Sequence, residues 1–185
     1  MPRAFIAIDV NPDVRERLSL VQKRLAGTGA HLRLVDPPNI HVTMKFLGDI
    51  SERVLEEVKG VIRRAASTAA PYDIEVHGLG AFPSTRYIRV IWAGVRKGRE
   101  ETLAIQQQLD RNLAKLNFKP ERDFVPHLTI ARVKSSMARD KLADIIFEMS
   151  DADFGRSHVE AIELKQSKLT PNGPIYSTLE RVELS

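Results

Sequence analysis

The 185-residue sequence contains no cysteine. Disulfide bonds, a thiolate nucleophile and cysteine-ligated metal sites are therefore excluded. No apolar run approaches the length of a membrane-spanning helix, and the Met-Pro-Arg start lacks the basic and long apolar regions of a signal peptide. We therefore expect a cytoplasmic protein that does not associate with a membrane.

The residues that are present form an ordinary globular composition. Hydrophobic residues make up 43% of the chain and charged residues 28%, which provides a core for one domain or for two small lobes that share a cleft. The formal net charge of +4 indicates a mild preference for polyanionic partners. A solvated surface with a small excess of lysine and arginine explains the same charge.

One strand-length segment carries apolar and polar side chains in alternation. The apolar positions are Val42, Met44 and Phe46, and the polar positions are His41, Thr43 and Lys45. Successive residues of a strand point to opposite faces, so the pattern predicts one buried face and one face that carries imidazole, hydroxyl and ammonium groups.

A second segment repeats the pattern. In it Leu128 and Ile130 are the apolar positions, and His127 and Thr129 are the polar positions. Two strands that each present a histidine and a threonine at a spacing of two form a symmetric acid–base site if their polar faces meet.

The order of predicted elements also repeats. Strand, helix, His-Thr strand, helix and strand occur once before residue 85 and once from residue 86. We predict helices that begin at Pro12 with Asn11 as the cap, at Asp49, near Gly98 and at Ser135-Ser136, and closing strands near 158–168 and 174–184. Hairpins mixed with helices favour antiparallel sheets and an α+β fold. The sequence therefore predicts one domain over residues 1–185, internally duplicated at about 3–85 and 86–184.

Two histidines can act together as a general base and a general acid. In-line displacement at phosphorus needs one group to deprotonate the attacking oxygen and another to protonate the leaving oxygen. The hydroxyls of Thr43 and Thr129 can donate to phosphoryl oxygens, and Lys45 can add a positive charge. Arg132 is a further phosphate-binding candidate, although its strand parity is opposite to that of His127 and requires a bulge or a strand end.

Less specific interpretations apply to the same residues. A single His-x-Thr segment is weak because threonine favours strands and half-exposed histidines are common. Lys45 and Arg132 are also explained as solvated surface residues, and Trp92 as a core residue. A zinc site needs three or four protein ligands, and no third ligand stands on these strands, so we expect neither a metal nor another cofactor.

Five stretches together resemble a known family, the bacterial and archaeal RNA 2′,3′-cyclic phosphodiesterases, also called 2′-5′ RNA ligases, of the two-histidine phosphoesterase superfamily. The stretches are RAFIAIDV, NIHVTMKFLGDI, GAFPSTRYIRVIWAGV, FVPHLTIARVK and SKLTPNGPIYSTLERVEL, and they extend from residue 3 to residue 184. Members often carry tryptophan where Leu34 stands.

The resemblance implies a bilobal α+β fold with two antiparallel sheets flanked by helices, a pseudo-twofold axis and a central cleft. It implies His41 as the proton donor and His127 as the proton acceptor in hydrolysis of an RNA 2′,3′-cyclic phosphate to a 2′-phosphomonoester. Joining such an end to a 5′-hydroxyl through a 2′-5′ bond is associated with some members. The implied partner is RNA with a cyclic phosphate end, such as a tRNA half or an oligonucleotide, bound by a monomeric protein.

Two other functions remain open from the sequence. The first is an RNA-end-binding module without turnover, which would keep the basic cleft and the threonines. The second is a phosphodiesterase for a small cyclic-phosphate metabolite. Turnover of a nucleoside 2′,3′-cyclic phosphate separates the first from an enzyme. A comparison of mononucleotide and oligonucleotide substrates separates the second. An RNA enzyme should act better on the oligonucleotide because it contacts the RNA backbone, and this advantage should decrease as salt rises.

Overall fold

A computed structural model describes residues 1–185. The strands are β1 (Arg3–Ile8), β2 (Leu32–Leu34), β3 (Val42–Asp49), β4 (Tyr72–Pro83), β5 (Ile88–Val95), β6 (His127–Val133), β7 (Asp153–Val159), β8 (Ala161–Thr170) and β9 (Gly173–Glu183). The helices are α1 (Pro12–Ala26), α2 (Glu52–Ser67), α3 (Arg99–Ala114) and α4 (Arg139–Glu148), and a 3-10 turn spans Pro37–Asn39. No helix has both the length and the apolar character needed to cross a membrane.

All strands belong to one curled antiparallel sheet with the order β7-β4-β5-β6-β3-β1-β8-β9, and β2 pairs with β6 outside this order. At its centre β3 and β6 share a single residue pair, Val42 with Leu128. The sheet therefore divides into two four-stranded lobes. The first lobe contains β3, β1, β8 and β9, and the second contains β7, β4, β5 and β6. The predicted bilobal α+β fold is confirmed, with its two sheets continuous through that one pair.

Two of the four helices pack on the lobe opposite to the strand that they follow. Helix α1 follows β1 of the first lobe but contacts β6 and β7 of the second. Helix α3 follows β5 of the second lobe but contacts α2 and β3 of the first. The side-chain amide of Gln22 in α1 donates to the carbonyl oxygens of Val35 and Ile130 at 2.6 and 2.9 Å. The two halves of the chain are therefore interleaved.

The element order β1-α1-β3-α2-β4 has a counterpart in β5-α3-β6-α4-β7 when the short β2 is set aside. Each lobe nevertheless draws elements from both halves of the chain, because β8 and β9 complete the first lobe and β4 lies in the second. Segments 3–85 and 86–184 are thus not the two lobes. The internal duplication stays a prediction about the order of elements.

One hydrophobic core of 40 buried residues runs through both lobes, between the helices and the sheet. Strand β1 lies at the centre of the first lobe, and its residues from Ala4 to Ile8 are all buried. This agrees with the near-continuous apolar run of the sequence, which is typical of a strand covered on both faces.

Three predicted boundaries are wrong. Helix α2 is capped by Ser51, whose hydroxyl accepts from the Val54 amide at 3.3 Å, and not by Asp49. Helix α4 starts after Ala138 in the left-handed region, and not at the two preceding serines. The predicted strand near 158–168 is two strands, because β7 pairs with β4 in the second lobe and β8 pairs with β1 in the first.

The alternation predicted for β3 breaks at a bulge. Between the pairs Ile6–Lys45 and Ala7–Thr43 the register against β1 shifts by one residue. A bulge places an extra residue in one strand, so the side chains beyond it change faces. Lys45 is consequently buried towards the helices, whereas Phe46 is 65% exposed. The prediction that Phe46 lies on the buried face is wrong.

Candidate active site

The site lies where the two lobes meet, around the pair of Val42 and Leu128. Both of these side chains are fully buried in the core. The flanking residues are the histidine and the threonine of each motif, and they point to the opposite, concave face because side chains alternate along a strand. The antiparallel register sets the histidine of one motif across from the threonine of the other. The polar faces of the two motifs therefore meet.

His41 is held by its own motif and by aromatic neighbours. Its Nε2 lies 2.8 Å from Oγ1 of Thr43. The ring of Phe5 stacks on the imidazole at 5.1 Å between centroids, and Tyr176 contacts it edge-on at 5.6 Å. Burial lowers the pKa of His41 to about 4, and a hydrogen bond to the backbone of Asn39 acts in the opposite direction. The ring is neutral at pH 7 and donates its one proton in the bond to the Asn39 backbone, so the Thr43 hydroxyl donates to Nε2.

His127 has a matching environment in the second lobe. Its Nδ1 donates to the carbonyl oxygen of Val125 at 2.6 Å. Phe82 contacts the ring edge-on at 5.0 Å, and Trp92 lies 6.1 Å away. Burial lowers the pKa of His127, while the bond to Val125 raises it and the charge of Arg132 lowers it further. With the proton held on Nδ1, Nε2 of the neutral ring carries a free lone pair that can accept a proton.

Each histidine therefore has two aromatic neighbours, and sequence reasoning missed this feature. Phe5, Phe82 and Tyr176 were not identified, and Trp92 was placed in the core, whereas it is half-buried beside His127. Phe5 lies in an apolar run that gives no information about faces, so no pattern separates it from core residues.

Trp92 lies flat against the sheet because two of its neighbours are glycines. A Cβ atom at Gly80 would come within 2.3 Å of the indole ring, and one at Gly94 within 3.3 Å. A glycine inside a strand often permits the close approach of another group, here the indole ring. These two glycines are therefore the feature of the sequence that could have indicated the concave face of the second lobe.

Arg132 reaches the concave face through a bulge. Between the pairs Ile91–Ala131 and Trp92–Thr129 the register of β5 against β6 shifts by one residue. This shift supplies the bulge that the parity of Arg132 required, and the side chain is exposed. Its positive charge lowers the pKa of His127 and opposes the rise that burial causes in the pKa of Tyr176. Arg132 thus lies near residues of both lobes.

Lys45 does not reach the site, and its predicted role in binding phosphate is wrong. Its ammonium group donates to Oδ1 of Asp110 in α3 at 2.6 Å and to the carbonyl oxygen of Lys119 at 2.5 Å. The residue is 4% exposed. The bulge in β3 turns this side chain away from the cleft and into a buried ion pair.

A charged network lies beside His41 instead. Nζ of Lys165 lies 3.0 Å from Glu163 and 3.7 Å from Asp9, and its positive charge lowers the pKa of His41, secondary to burial. Arg15 bonds to Asp9 at 2.7 Å and donates to the carbonyl oxygen of the residue before His41 at 3.1 Å. The network fixes the backbone that carries the first motif. The network joins two segments that are far apart in the sequence, one with Asp9 and Arg15 and one with Glu163 and Lys165, and no spacing links them.

No group of three or more His, Asp or Glu side chains is arranged to hold a metal ion. The two motif histidines bond to a hydroxyl and to a backbone carbonyl, and carboxylates bond to other histidines, His77 with Asp151 and His158 with Asp73. The donor set around His41 and His127 suits proton transfer and anion binding.

Known proteins are similar to this chain in sequence. A family model described as LigT like Phosphoesterase matches residues 8–92 and 94–176. An RNA 2′,3′-cyclic phosphodiesterase of Methanothermobacter thermautotrophicus is 42% identical over 179 residues, which are 96% of each chain. A protein of the same name from Aquifex aeolicus is 32% identical and covers 98% of this chain and 97% of its own.

Solved structures show the same fold. TT0787 of Thermus thermophilus superposes with a TM-score of 0.83 at 28% identity and covers 98% of this chain and 97% of its own. E. coli LigT in complex with 3′-AMP superposes with a TM-score of 0.79 at 22% identity and covers 100% of this chain and 98% of its own. The likeness to the second structure concerns the fold alone.

Proposed function

Because this chain belongs to the LigT-like phosphoesterase family, we propose that it hydrolyses RNA 2′,3′-cyclic phosphate ends to 2′-phosphomonoesters, with His127 and His41 as base and acid. The observation that carries the proposal is the single residue pair between β3 and β6, which sets the two His-x-Thr motifs side by side on one face of the sheet. The relatives named RNA 2′,3′-cyclic phosphodiesterase support the choice of substrate.

In the proposed reaction the cyclic phosphate lies between the two imidazoles. Nε2 of His127 takes a proton from water, whose oxygen forms a bond to phosphorus. The bond from phosphorus to the 3′-oxygen breaks, and His41 gives a proton to that oxygen. The products are a 2′-phosphate and a free 3′-hydroxyl. The hydrogen bond from Nδ1 of His127 to Val125 supports the role of base, since it keeps Nε2 unprotonated.

The hydroxyls of Thr43 and Thr129 and the guanidinium of Arg132 bind the non-bridging oxygens in this scheme. Such donors stabilise charge that develops on phosphorus in the transition state. Arg132 replaces Lys45 as the cation of the site, which is supported by the effect of its charge on His127.

His41 must carry a proton to act as an acid, yet burial holds its pKa at about 4. A bound phosphate anion favours the imidazolium ion, because an opposite charge nearby stabilises the charged form. We infer that substrate binding itself raises the pKa of His41. In the free protein the Thr43 hydroxyl donates to the neutral ring, and with substrate it turns to the phosphate.

The same groups would serve a ligation in which a 5′-hydroxyl replaces water at His127. Three statements stay predictions: that tRNA halves are substrates, that the protein is monomeric and that it is cytoplasmic. The internal duplication also stays a prediction, and it is supported by the match of the family model to two successive segments.

Product analysis tests the proposal. The protein is incubated in EDTA with a nucleoside 2′,3′-cyclic phosphate or with an oligonucleotide that ends in a 2′,3′-cyclic phosphate. The oligonucleotide reaction is run with and without an RNA bearing a 5′-hydroxyl. We expect a 2′-phosphomonoester in both oligonucleotide reactions, and a rate that is lower by about 10²–10⁴-fold with His127→Ala. Binding without turnover would favour the end-binding module, and turnover of only a mononucleotide would favour the metabolite enzyme. A need for a divalent ion would contradict the metal-free scheme.

A further inference from the structure

A second cavity of about 380 Å³ opens beside His127 in the second lobe. It begins at Trp92 and Val125, which are also the neighbours of His127 in the active site. The other lining residues come from the middle of β4, the end of β5 and the residue after it, the start of α3, the segment before β6 and the turn after α4. They are His77, Gly78, Leu79, Gly94, Val95, Arg96, Arg99, Pro126 and Ser150.

The lining of this cavity is basic. It contains two arginines and a histidine, and no carboxylate. Arg99 is exposed and has no carboxylate within ion-pair distance. Arg96 bonds to Glu75 at 3.2 Å, and Nε2 of His77 lies 2.6 Å from Asp151, so Arg99 is the lining cation that has no carboxylate partner. A concave site with an unpaired guanidinium group favours an anion.

Two lining side chains have polar atoms without a protein partner. Nδ1 of His77 and Nε1 of Trp92 are both buried and make no hydrogen bond with the protein. Buried polar atoms are nearly always paired, and each exception calls for an explanation. Trp92 in addition offers a half-buried aromatic surface, and bases stack on such rings in single-stranded nucleic acids.

We propose that this cavity binds an RNA nucleotide next to the reacting one, with Arg99 and Arg96 on its backbone phosphate. The inference rests on the proposed function, because it takes the reacting phosphate to lie at His127, one nucleotide away. The nucleotide has two sources, the strand that ends in the cyclic phosphate or the strand that supplies a 5′-hydroxyl for ligation. Both have the same phosphodiester chemistry.

The test compares Arg99→Ala with Arg64→Ala. Arg64 is also exposed, but it lies on α2 beside a different cavity, so its replacement removes the same charge elsewhere. Binding of a nucleoside 2′-phosphate and of a trinucleotide ending in a 2′-phosphate is followed by the fluorescence of Trp92, the single tryptophan. A third probe is a trinucleotide with a free 5′-hydroxyl, added to protein that holds the nucleoside 2′-phosphate.

If the cavity holds the substrate strand, Arg99→Ala binds the 2′-phosphate trinucleotide at least roughly tenfold more weakly, because a charge-assisted contact is lost. The slope of log affinity against log salt then falls by about 0.7 for one phosphate. If it holds the acceptor strand, only the 5′-hydroxyl trinucleotide loses affinity. In both cases the mononucleotide and the Arg64→Ala variant are unaffected.

Equal affinity of Arg99→Ala and the wild-type protein for both trinucleotides would overturn the inference. A parallel loss with Arg64→Ala would overturn it too, since it would show only the effect of net charge. These binding measurements do not need turnover. A protein that fails to cleave any cyclic phosphate would contradict the proposed function and leave the cavity test intact.

Discussion

The ammonium group of Lys45 lies 2.6 Å from a carboxylate oxygen of Asp110, and the two residues are 4% and 8% exposed. This pair ties β3, the strand of the first motif, to α3, the helix that follows β5. Removal of one partner leaves the other charge buried without compensation, which is strongly destabilising. Lys45 was expected to bind phosphate in the active site, whereas its role is structural.

Lys45→Met should lower the free energy of unfolding by about 3–5 kcal/mol and leave turnover per folded molecule close to that of the wild type. Urea unfolding and a cyclic phosphodiesterase assay measure the two quantities. The matched control is Lys45→Met combined with Asp110→Leu, which removes both charges and should recover much of the loss. A stable variant with a large loss of turnover would return Lys45 to the phosphate site.

Phe46→Ala and Met44→Ala should differ in their effect on stability, although the strand pattern placed both side chains on the buried face. Met44 is 1% exposed, so its truncation should cost about 2–5 kcal/mol of stability. Phe46 is 65% exposed on the concave face, 6.2 Å from Phe5 between ring centroids, so its truncation should cost under about 1 kcal/mol. Thermal or urea unfolding of both variants checks the assignment. Equal losses would mean that the bulge in β3 is misplaced.

His41→Ala and His127→Ala should each reduce turnover by about 10²–10⁴-fold, which is the usual contribution of a positioned acid or base. The double variant should be little worse than the worse single one, because residues that act as a unit are not additive. His31→Ala is the control, since His31 is exposed and away from the junction. Near-wild-type turnover by either folded single variant would refute the two-histidine mechanism.

The lowered pKa of His41 predicts a loss of stability in acid. The unfolded chain binds a proton at the ring near pH 6.5, whereas the folded protein does so only near pH 4. The free energy of unfolding therefore contains the full contribution of the neutral His41 ring above pH 6.5, and this contribution is lost as the pH falls towards 4. At about 1.4 kcal/mol per pKa unit it amounts to about 3 kcal/mol.

Urea unfolding at pH 7 and pH 4 measures this effect. The control is the His41→Gln variant, which has no ionisable side chain at position 41 and retains all the other groups that titrate between pH 7 and pH 4. The wild-type protein should lose about 3 kcal/mol more than the variant between the two pH values. An equal loss in both proteins would show that His41 is solvated in the folded state.

The sequence predicts the parts of this protein that depend on local pattern. Each His-x-Thr segment alternates with buried residues such as Val42 and Leu128, and the structure has both motifs on one face at the junction of the lobes. The sequence could not predict the faces beyond the bulges, because a bulge shifts parity without a change in composition. For this reason Lys45 was predicted on the polar face and Phe46 on the buried face, the reverse of their positions in the structure. Arg132 was predicted to bind phosphate only on the condition that such a bulge exists.

The aromatic and charged surroundings of the histidines depend on contacts between distant parts of the chain. Tyr176 of β9 reaches His41, and Lys165 of β8 acts on the same ring. Neither residue has a spacing that links it to the motif. Such neighbours follow from the strand order, and the strand order was available only from the structure.

The exchange of α1 and α3 between the lobes, together with the position of β8 beside β1, has a consequence for biosynthesis. During translation β1 is synthesised first, but it cannot pair with β8 until nearly the whole chain has been made, since Phe5 pairs with Lys165. The environment of His41 thus cannot be complete until the C-terminal hairpin has emerged. A nascent chain that stalls before this point exposes the uncovered edge of β1, so folding of the first lobe is tied to the end of translation.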